Sequence, residues 1–298
     1  MSNRAPEQET ASEALRRVRD RLRAAAIEDA GVEAALLLRQ ALRPAGEELP
    51  SQAWLYHRID QPLGASEQTV LETLLVRRLG GEPSAYITGV REFRGLDFEV
   101  TPDVLIPRPE TELLVEHAVA WTRQNFLQGA SPVIADIGTG SGEIAVTLAR
   151  DLPAATIIAT DVSWGALAVA RRNARRHGVD ARISFRHGDL LLPADRYVDL
   201  IVANLPYVPS REWQSLAPDV SAHEPPVALL GGEDGLDLIR ALLRQAPRYL
   251  RAGGAVYLEF GAGQEAALRA SASRLVTGAG MESYEDFAGI PRVMAVRP

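Results

Sequence analysis

The 298-residue sequence predicts an α/β protein: a doubly wound, mostly parallel sheet of seven strands, a small all-helical domain before it, and a β-hairpin linker. Three observations carry this expectation. From Val133 onward, short apolar runs alternate with stretches of helical periodicity, the pattern of parallel strands joined by right-handed crossovers. Up to Leu79 the apolar residues recur only at helical spacing. Between these regions, apolar and polar residues alternate around glycines, as in a hairpin. The implied division is residues 1–84, 85–110 and 111–298.

The helical part opens with polar residues that suggest disorder. Leu15, Val18, Leu22 and Ala26 then line one face of a helix over Ala11–Ala30, which Gly31 is expected to break. Val32–Leu42 reads as a second helix and Ser51–Ile59 as a short third, capped by Ser51. A fourth runs over Ser66–Leu79, opening at Ser66-x-x-Thr69 and stopping at Gly80-Gly81. The arginines Arg16, Arg17, Arg19, Arg21, Arg23, Arg77 and Arg78 are either solvated helix faces or a docking surface for a partner.

Tyr86–Gly89 and Phe93–Val100 are expected to form the hairpin, and Pro107 and Pro109 to hold the next segment extended ahead of a helix over Thr111–Leu127. The strands of the sheet are expected at Val133–Asp136, Thr156–Thr160, Ile183–Arg186, Tyr197–Ala203 and Ala255–Phe260. A closing antiparallel pair follows at Met281–Phe287 and Arg292–Val296. Helices alternate with them over Gly142–Arg150, Trp164–His177, Leu236–Leu250 (closed by Gly253-Gly254) and Gln264–Val276.

Composition narrows the chemistry. Cysteine is absent, which removes disulfides, thiolate metal sites and cysteine nucleophiles. The five histidines are scattered without metal-ligand spacing, so no metal is expected. A net charge of −7 argues against a nucleic-acid-coating protein, and every basic side chain is arginine, never lysine. No signal-peptide core or bilayer-length apolar run is present, which suggests a cytoplasmic protein.

The chemistry sits at strand ends, where open α/β sheets bind their ligands. Asp136-Ile137-Gly138-Thr139-Gly140-Ser141-Gly142 joins the first strand of the sheet to its helix, and its glycines let a ligand lie on backbone amides. The G-x-G-x-G spacing is tighter than a pyrophosphate loop, and Asp136 before it repels a diphosphate but suits an ammonium group. Asp161 ends the second strand, where a carboxylate can take ribose hydroxyls, and Asp189 follows the third, near an adenine amino group. Asp136, Asp161 and Asp189 are therefore expected to point into one crevice. S-adenosylmethionine, a nucleoside with a cationic amino-acid tail, fits this set better than NAD. Asn204-Leu205-Pro206-Tyr207 ends the fourth strand beside the donor's sulfonium. Asn204 is either a residue whose oxygen accepts an N–H of a planar amine or amide, or a turn residue bonding its own backbone.

This tetrapeptide resembles the N/D-P-P-Y of amino-methyltransferases. Leu105-Ile106-Pro107-Arg108-Pro109-Glu110-Thr111-Glu112 resembles the I-P-R-P-x-T-E signature of the HemK/PrmC family of peptide-chain release factor glutamine methyltransferases. Glu82-Pro83-x-x-Tyr86-Ile87-x-Gly89, Glu92-Phe93-x-Gly95-Leu96-x-Phe98-x-Val100, Glu224-Pro225-Pro226-x-Ala228-Leu229, Gly231-Gly232-x-Asp234-Gly235-Leu236 and Asp286-x-Ala288-Gly289-x-Pro291-Arg292 agree in order. The resemblance spans nearly the whole chain. It implies a class I, Rossmann-like methyltransferase that moves a methyl group from S-adenosylmethionine to the side-chain amide of the glutamine in the Gly-Gly-Gln motif of class I release factors.

The resemblance further implies that Gly138, Thr139, Gly140, Ser141, Gly142 and Asp161 bind the donor, with Asp189 and Leu190 beside its adenine. Asn204, Leu205, Pro206 and Tyr207 would hold the glutamine amide, and Leu105, Pro107 and Arg108 would wall its pocket. The expected products are S-adenosylhomocysteine and methylated protein, the expected state a monomer without membrane or direct nucleic-acid contact. Leu205 departs from the family's usual proline, freeing φ and adding an N–H, which questions the stiffness of the turn. The same residue supplies a rival, since ribosomal RNA adenine dimethyltransferases carry N-L-P-Y at this place, although their helical domain follows the sheet. A non-catalytic nucleotide-binding module is the second rival.

Overall fold

The computed structural model describes residues 8–127 and 129–298, so the expected disorder of residues 1–7 lies outside the described residues. The chain forms two compact units. One holds the residues up to Val90 together with Pro218–His223; the other holds Arg91–Ala217 and Glu224–Pro298. Among the described residues no helix is long and apolar enough to cross a membrane.

The first unit is helical: α1 (Ala11–Ala24), α2 (Ala30–Ala41), α3 (Gln52–His57), α4 (Ala65–Leu79) and α5 (Ser84–Thr88). Leu22, Leu37, Leu38, Leu55, Leu71 and Leu75 form its buried core. Thr10 and Glu13 make a reciprocal capping box at α1, satisfying donors that the first turn leaves open. Three local expectations are corrected. The break between the first two helices comes from Ala26 and Asp29 in left-handed conformations, and Gly31 lies inside α2. Gly64 caps α4, its N–H donating to Glu67 at 2.7 Å, so Ser66 and Thr69 do not open the helix. Tyr86–Thr88 is helical, its side chains all buried, and among the described residues no strand pairs with it.

In the second unit, β1 (Val90–Phe93) and β2 (Leu96–Glu99) form the hairpin, turning through Arg94 and Gly95, both at positive φ as a two-residue turn demands. The remaining elements are α6 (Thr111–Asn125), β3 (Val133–Ile137), α7 (Glu143–Asp151), β4 (Thr156–Asp161), α8 (Trp164–Arg176), β5 (Ile183–His187), β6 (Val198–Ala203), α10 (Asp237–Gln245), β7 (Leu250–Glu259), α11 (Glu265–Leu275), β8 (Gly280–Glu285) and β9 (Pro291–Arg297). The short α9 (Pro218–His223) belongs to the first unit.

The strands form one seven-stranded sheet in the order β5-β4-β3-β6-β7-β9-β8. Only β9 runs antiparallel to its neighbours, pairing β7 on one side and β8 on the other. Every residue of β3 and β6 is buried, as expected of strands covered on both faces. One buried cluster packs α6, α7 and α8 on one face, and a second packs α10 and α11 on the other. Gly253-Gly254 do not close a helix: the helix ends at Gln245, and the glycines lie within β7 where its register against β6 shifts. The strand order reverses between β3 and β6, which opens a crevice at their carboxyl ends.

Candidate active site

A cleft occupies that crevice. Gly138 and Gly140 from the loop after β3, Asp161 from the end of β4, Asp189 and Leu190 after β5, and Asn204, Leu205 and Pro206 after β6 all line it, as does Leu105. Asp103, Val104, Glu143, Val162, Ala166, Val227, Ala228 and Leu238 also line it; the sequence reading assigned none of these to the site.

Asp161 is held from behind. Its Oδ2 accepts the Gly140 N–H at 3.0 Å and its Oδ1 the Ser163 N–H at 2.8 Å, leaving lone pairs on both oxygens for a ligand. Burial raises its pKa, partly offset by these backbone donors. Leu190 sits at φ +47°, a conformation that costs a branched side chain energy, and Thr160 Oγ1 donates to its carbonyl at 2.9 Å. The neighbouring Asp189 side chain is exposed.

The expectation that Asp136 joins this crevice is corrected. Its side chain is fully buried and absent from the cleft wall; Oδ2 instead accepts Thr139 Oγ1 at 2.6 Å and the Ala145 N–H at 3.1 Å, tying the loop to α7. Glu143 takes the place at the wall. Its carboxylate accepts Ser141 Oγ at 2.5 Å, and burial lifts its pKa to about 7. Asp136 is lifted to about 7 by the same cause. Among the described residues no ion pair neutralises either, and no set of three ligating side chains converges as a metal ion would need. Thr139, Ser141 and Gly142 do not line the cleft: the two hydroxyls donate to carboxylates, and the glycine packs so closely on α8 that a Cβ would lie 3.0 Å from Ala170.

Asn204 Nδ2 donates to Thr111 Oγ1 at 3.0 Å. Leu205 is buried, with Cδ2 3.1 Å from where a Cβ on Gly138 would stand. The turn that Leu205 was expected to loosen is held from outside. Gly231 N–H donates to the Val208 carbonyl at 2.9 Å, and Gln264 Nε2 donates to the Tyr207 carbonyl at 2.8 Å. Gly231 and Gly235 press so near the Pro206 and Tyr207 carbonyls that neither position has room for a side chain.

Tyr207 does not line the cleft. Its hydroxyl donates to Glu259 Oε1 at 3.2 Å, and burial and the Glu259 charge push its pKa far up. Glu259 is itself buried at the end of β7, and that burial lifts its pKa to about 7. An acid in the last position of a strand was a readable signal here, the same one that located Asp161. Pro107 and Arg108 also lie off the cleft wall. Glu224, whose side chain is 1 % exposed, accepts the Ile106 N–H at 3.2 Å and Arg108 Nη2 at 2.5 Å, so one carboxylate fixes the proline segment that carries Leu105.

The comparisons agree with this architecture. Residues 13–89 match the PrmC N-terminal domain and residues 134–223 a Methyltransferase domain. The release factor glutamine methyltransferase of Geobacter sulfurreducens is 44% identical over 78% of this chain and 80% of its own. That of Cereibacter sphaeroides is 40% identical over 96% of this chain and 98% of its own. Among solved structures, a methyltransferase from Pyrococcus furiosus shares the fold at TM-score 0.52 and 20% identity, over 76% of this chain and 98% of its own. With relatives this similar over nearly its whole length, the chain belongs to the release factor glutamine methyltransferase family.

Proposed function

We propose that the cleft transfers a methyl group from S-adenosylmethionine to the side-chain amide nitrogen of the glutamine in the Gly-Gly-Gln motif of class I release factors. The observation that carries this reading is Asn204: with Nδ2 turned to Thr111, its Oδ1 is left to accept an N–H at the mouth of the donor cleft.

The donor fits the residues present. Gly138 and Gly140 offer backbone without side chains, Asp161 has lone pairs to spare for ribose hydroxyls, and Asp189 and Leu190 flank the place for an adenine. The Glu143 carboxylate, buried without a cation, suits the ammonium of the amino-acid tail. When bound, S-adenosylmethionine supplies the methyl group and leaves as S-adenosylhomocysteine. Asn204 Oδ1 and the Leu205 carbonyl accept the two amide N–H bonds and aim the nitrogen lone pair at the methyl carbon. With the donor bound, the N–C bond would form as the S–C bond broke, and the nitrogen proton would leave to solvent. Alignment is the main contribution asked of the protein, a term that can reach roughly 7–11 kcal/mol. Pro206 and Leu105 bound the pocket, Tyr207 stiffens the turn, and Pro107 and Arg108 shape the segment presenting Leu105. In this reading the chain acts as a monomer on a protein substrate.

Incubation with labelled donor and either purified release factor or bare ribosomal RNA tests the reading. Label is expected in the Gly-Gly-Gln peptide; label in RNA and none in the peptide would replace it with an adenine methyltransferase.

A further inference from the structure

We infer that the stacked rings of Trp164 and His187 are positioning residues, a clamp behind the cleft that holds together the two loops meeting the nucleoside of the donor. The inference rests on the proposed function, in which Asp161 receives the ribose and Asp189 and Leu190 flank the adenine.

The two loops leave neighbouring strands. Asp161 and His187 face each other in the last pair of the β4–β5 ladder, and Gly188 N–H donates to the Asp161 carbonyl at 3.0 Å. Past that bond the chains diverge: Val162 and Ser163 lead into α8, while Gly188 and Asp189 leave β5, an edge strand. All four residues line the cleft. Among the described residues no further backbone–backbone bond joins the two loops, so their spacing falls to side chains.

His187 and Trp164 make that connection. His187 Nε2 lies 2.9 Å from the Val162 carbonyl; a carbonyl only accepts, so Nε2 carries the proton and donates. The same imidazole stacks on the Trp164 indole, with ring centroids 4.1 Å apart and planes 6° from parallel. One ring from the end of β5 thus grips the β4 loop at two points, before Ser163 and after it. Neither ring lines the cleft, and Trp164 is 64% exposed, so the pair adds little to the core. What it fixes is the position of one loop against the other. That position reaches the ligand through Ser163, whose N–H donates to Asp161 Oδ1 at 2.8 Å while its Oγ caps α8 by accepting the Ala166 N–H at 3.1 Å. Trp164 is the first residue of α8, so the stack holds the helix start, the serine and the ribose-binding carboxylate in one orientation.

The test is calorimetry on the full chain with S-adenosylmethionine, S-adenosylhomocysteine and methylthioadenosine, which lacks the amino-acid tail. Steady-state kinetics and urea midpoints accompany it. Trp164→Ala is expected to raise Kd by about two- to tenfold, the worth of one aromatic pair, and by the same factor for all three ligands because they share the nucleoside. KM for the donor should rise in step while kcat at saturating donor holds. Trp164→Phe restores a flat ring and should recover most of the affinity. His187→Ala also loses the bond to Val162 and should weaken binding at least as much, with the double variant little worse than His187→Ala alone. Both side chains are exposed, so these variants leave the buried core untouched. Unchanged Kd in Trp164→Ala and His187→Ala, whatever the urea midpoint, would make the pair surface packing and overturn the inference while the function stands. Losses that multiply in the double variant, or a loss confined to the ligands with an amino-acid tail, would overturn it as well. If the native chain binds none of the three ligands, the proposed function fails and the inference with it.

Discussion

Leu205 lies against the glycine loop so closely that a Cβ on Gly138 would stand 3.1 Å from its Cδ2. Gly138 also sits at φ +73°, a conformation that L side chains rarely adopt. Gly138→Ala should therefore cost about 1–3 kcal/mol of stability and weaken donor affinity in parallel, since the loop must move to admit the methyl group. Urea midpoints and calorimetry on the same variant check both; an unchanged donor Kd would show that Gly138 is packing alone.

Asn204→Ala is expected to leave donor affinity within about threefold while abolishing detectable transfer, because the substrate amide loses its acceptor. Calorimetry with donor and a methylation assay with release factor separate the two effects. Retained transfer would remove Asn204 from the chemistry.

Asp161→Ala should do the opposite, weakening donor binding by tenfold or more, on the order of 1.4 kcal/mol. Part of that loss is indirect, because the carboxylate also anchors the Gly140 and Ser163 amides. Asp161→Asn, which keeps one acceptor oxygen, should lie between. Equal affinity in all three proteins would exclude a ribose contact.

Glu224 is a buried acid gripping Ile106 and Arg108. Replacing it with alanine frees the proline segment and removes an acceptor from a buried N–H, so KM for release factor should rise by about tenfold, with donor Kd unmoved. Arg108→Ala, which leaves the Ile106 bond in place, should have a smaller effect on KM. A larger effect from Arg108→Ala would mean that the guanidinium meets substrate itself.

The pH dependence follows from Asp136, Glu143 and Glu259, each raised to about 7 by burial. Their folded values lie above those of the unfolded chain, so the native state binds protons that the unfolded state has lost. This contribution is fully present below about pH 4 and is lost as pH rises through about 7. His117 and His177, lowered by burial, act in the opposite sense, adding stability as pH rises toward 6.5 and nothing further above it. From pH 6.5 to 8.5 the carboxylates decide, and unfolding free energy should fall by a few kcal/mol at most. Urea titrations of the native chain and of Glu143→Gln check this, the variant showing the shallower fall; identical slopes would remove Glu143 from the group.

The sheet and its ligand crevice were legible because they rest on local signals: apolar runs, helical periodicity and acids at strand ends. Asp161, Asp189 and Asn204 follow from those rules, and all three line the cleft. Asp136 obeys the same rule yet turns inward, because Thr139 and Ala145 offer it donors behind the loop. The partners of Glu259, Glu224 and Thr111 lie as many as 118 positions away, so no spacing along the chain could reveal those contacts. Tyr86–Thr88 shows the limit of alternation as a strand signal, since three residues buried on every side fit a helical turn equally well.

The place of β9 has a consequence for biosynthesis. This strand is interior to the sheet, and β8, which precedes it along the chain, pairs with the sheet through it. During synthesis, residues 280–285 emerge with no docking partner, their ladder groups exposed. The five parallel strands and the cleft at their ends can assemble earlier. Residues 291–297 therefore act as a keystone, and the interval between the emergence of β7 and that of β9 is when an unpaired edge at β7 is open to association with another chain.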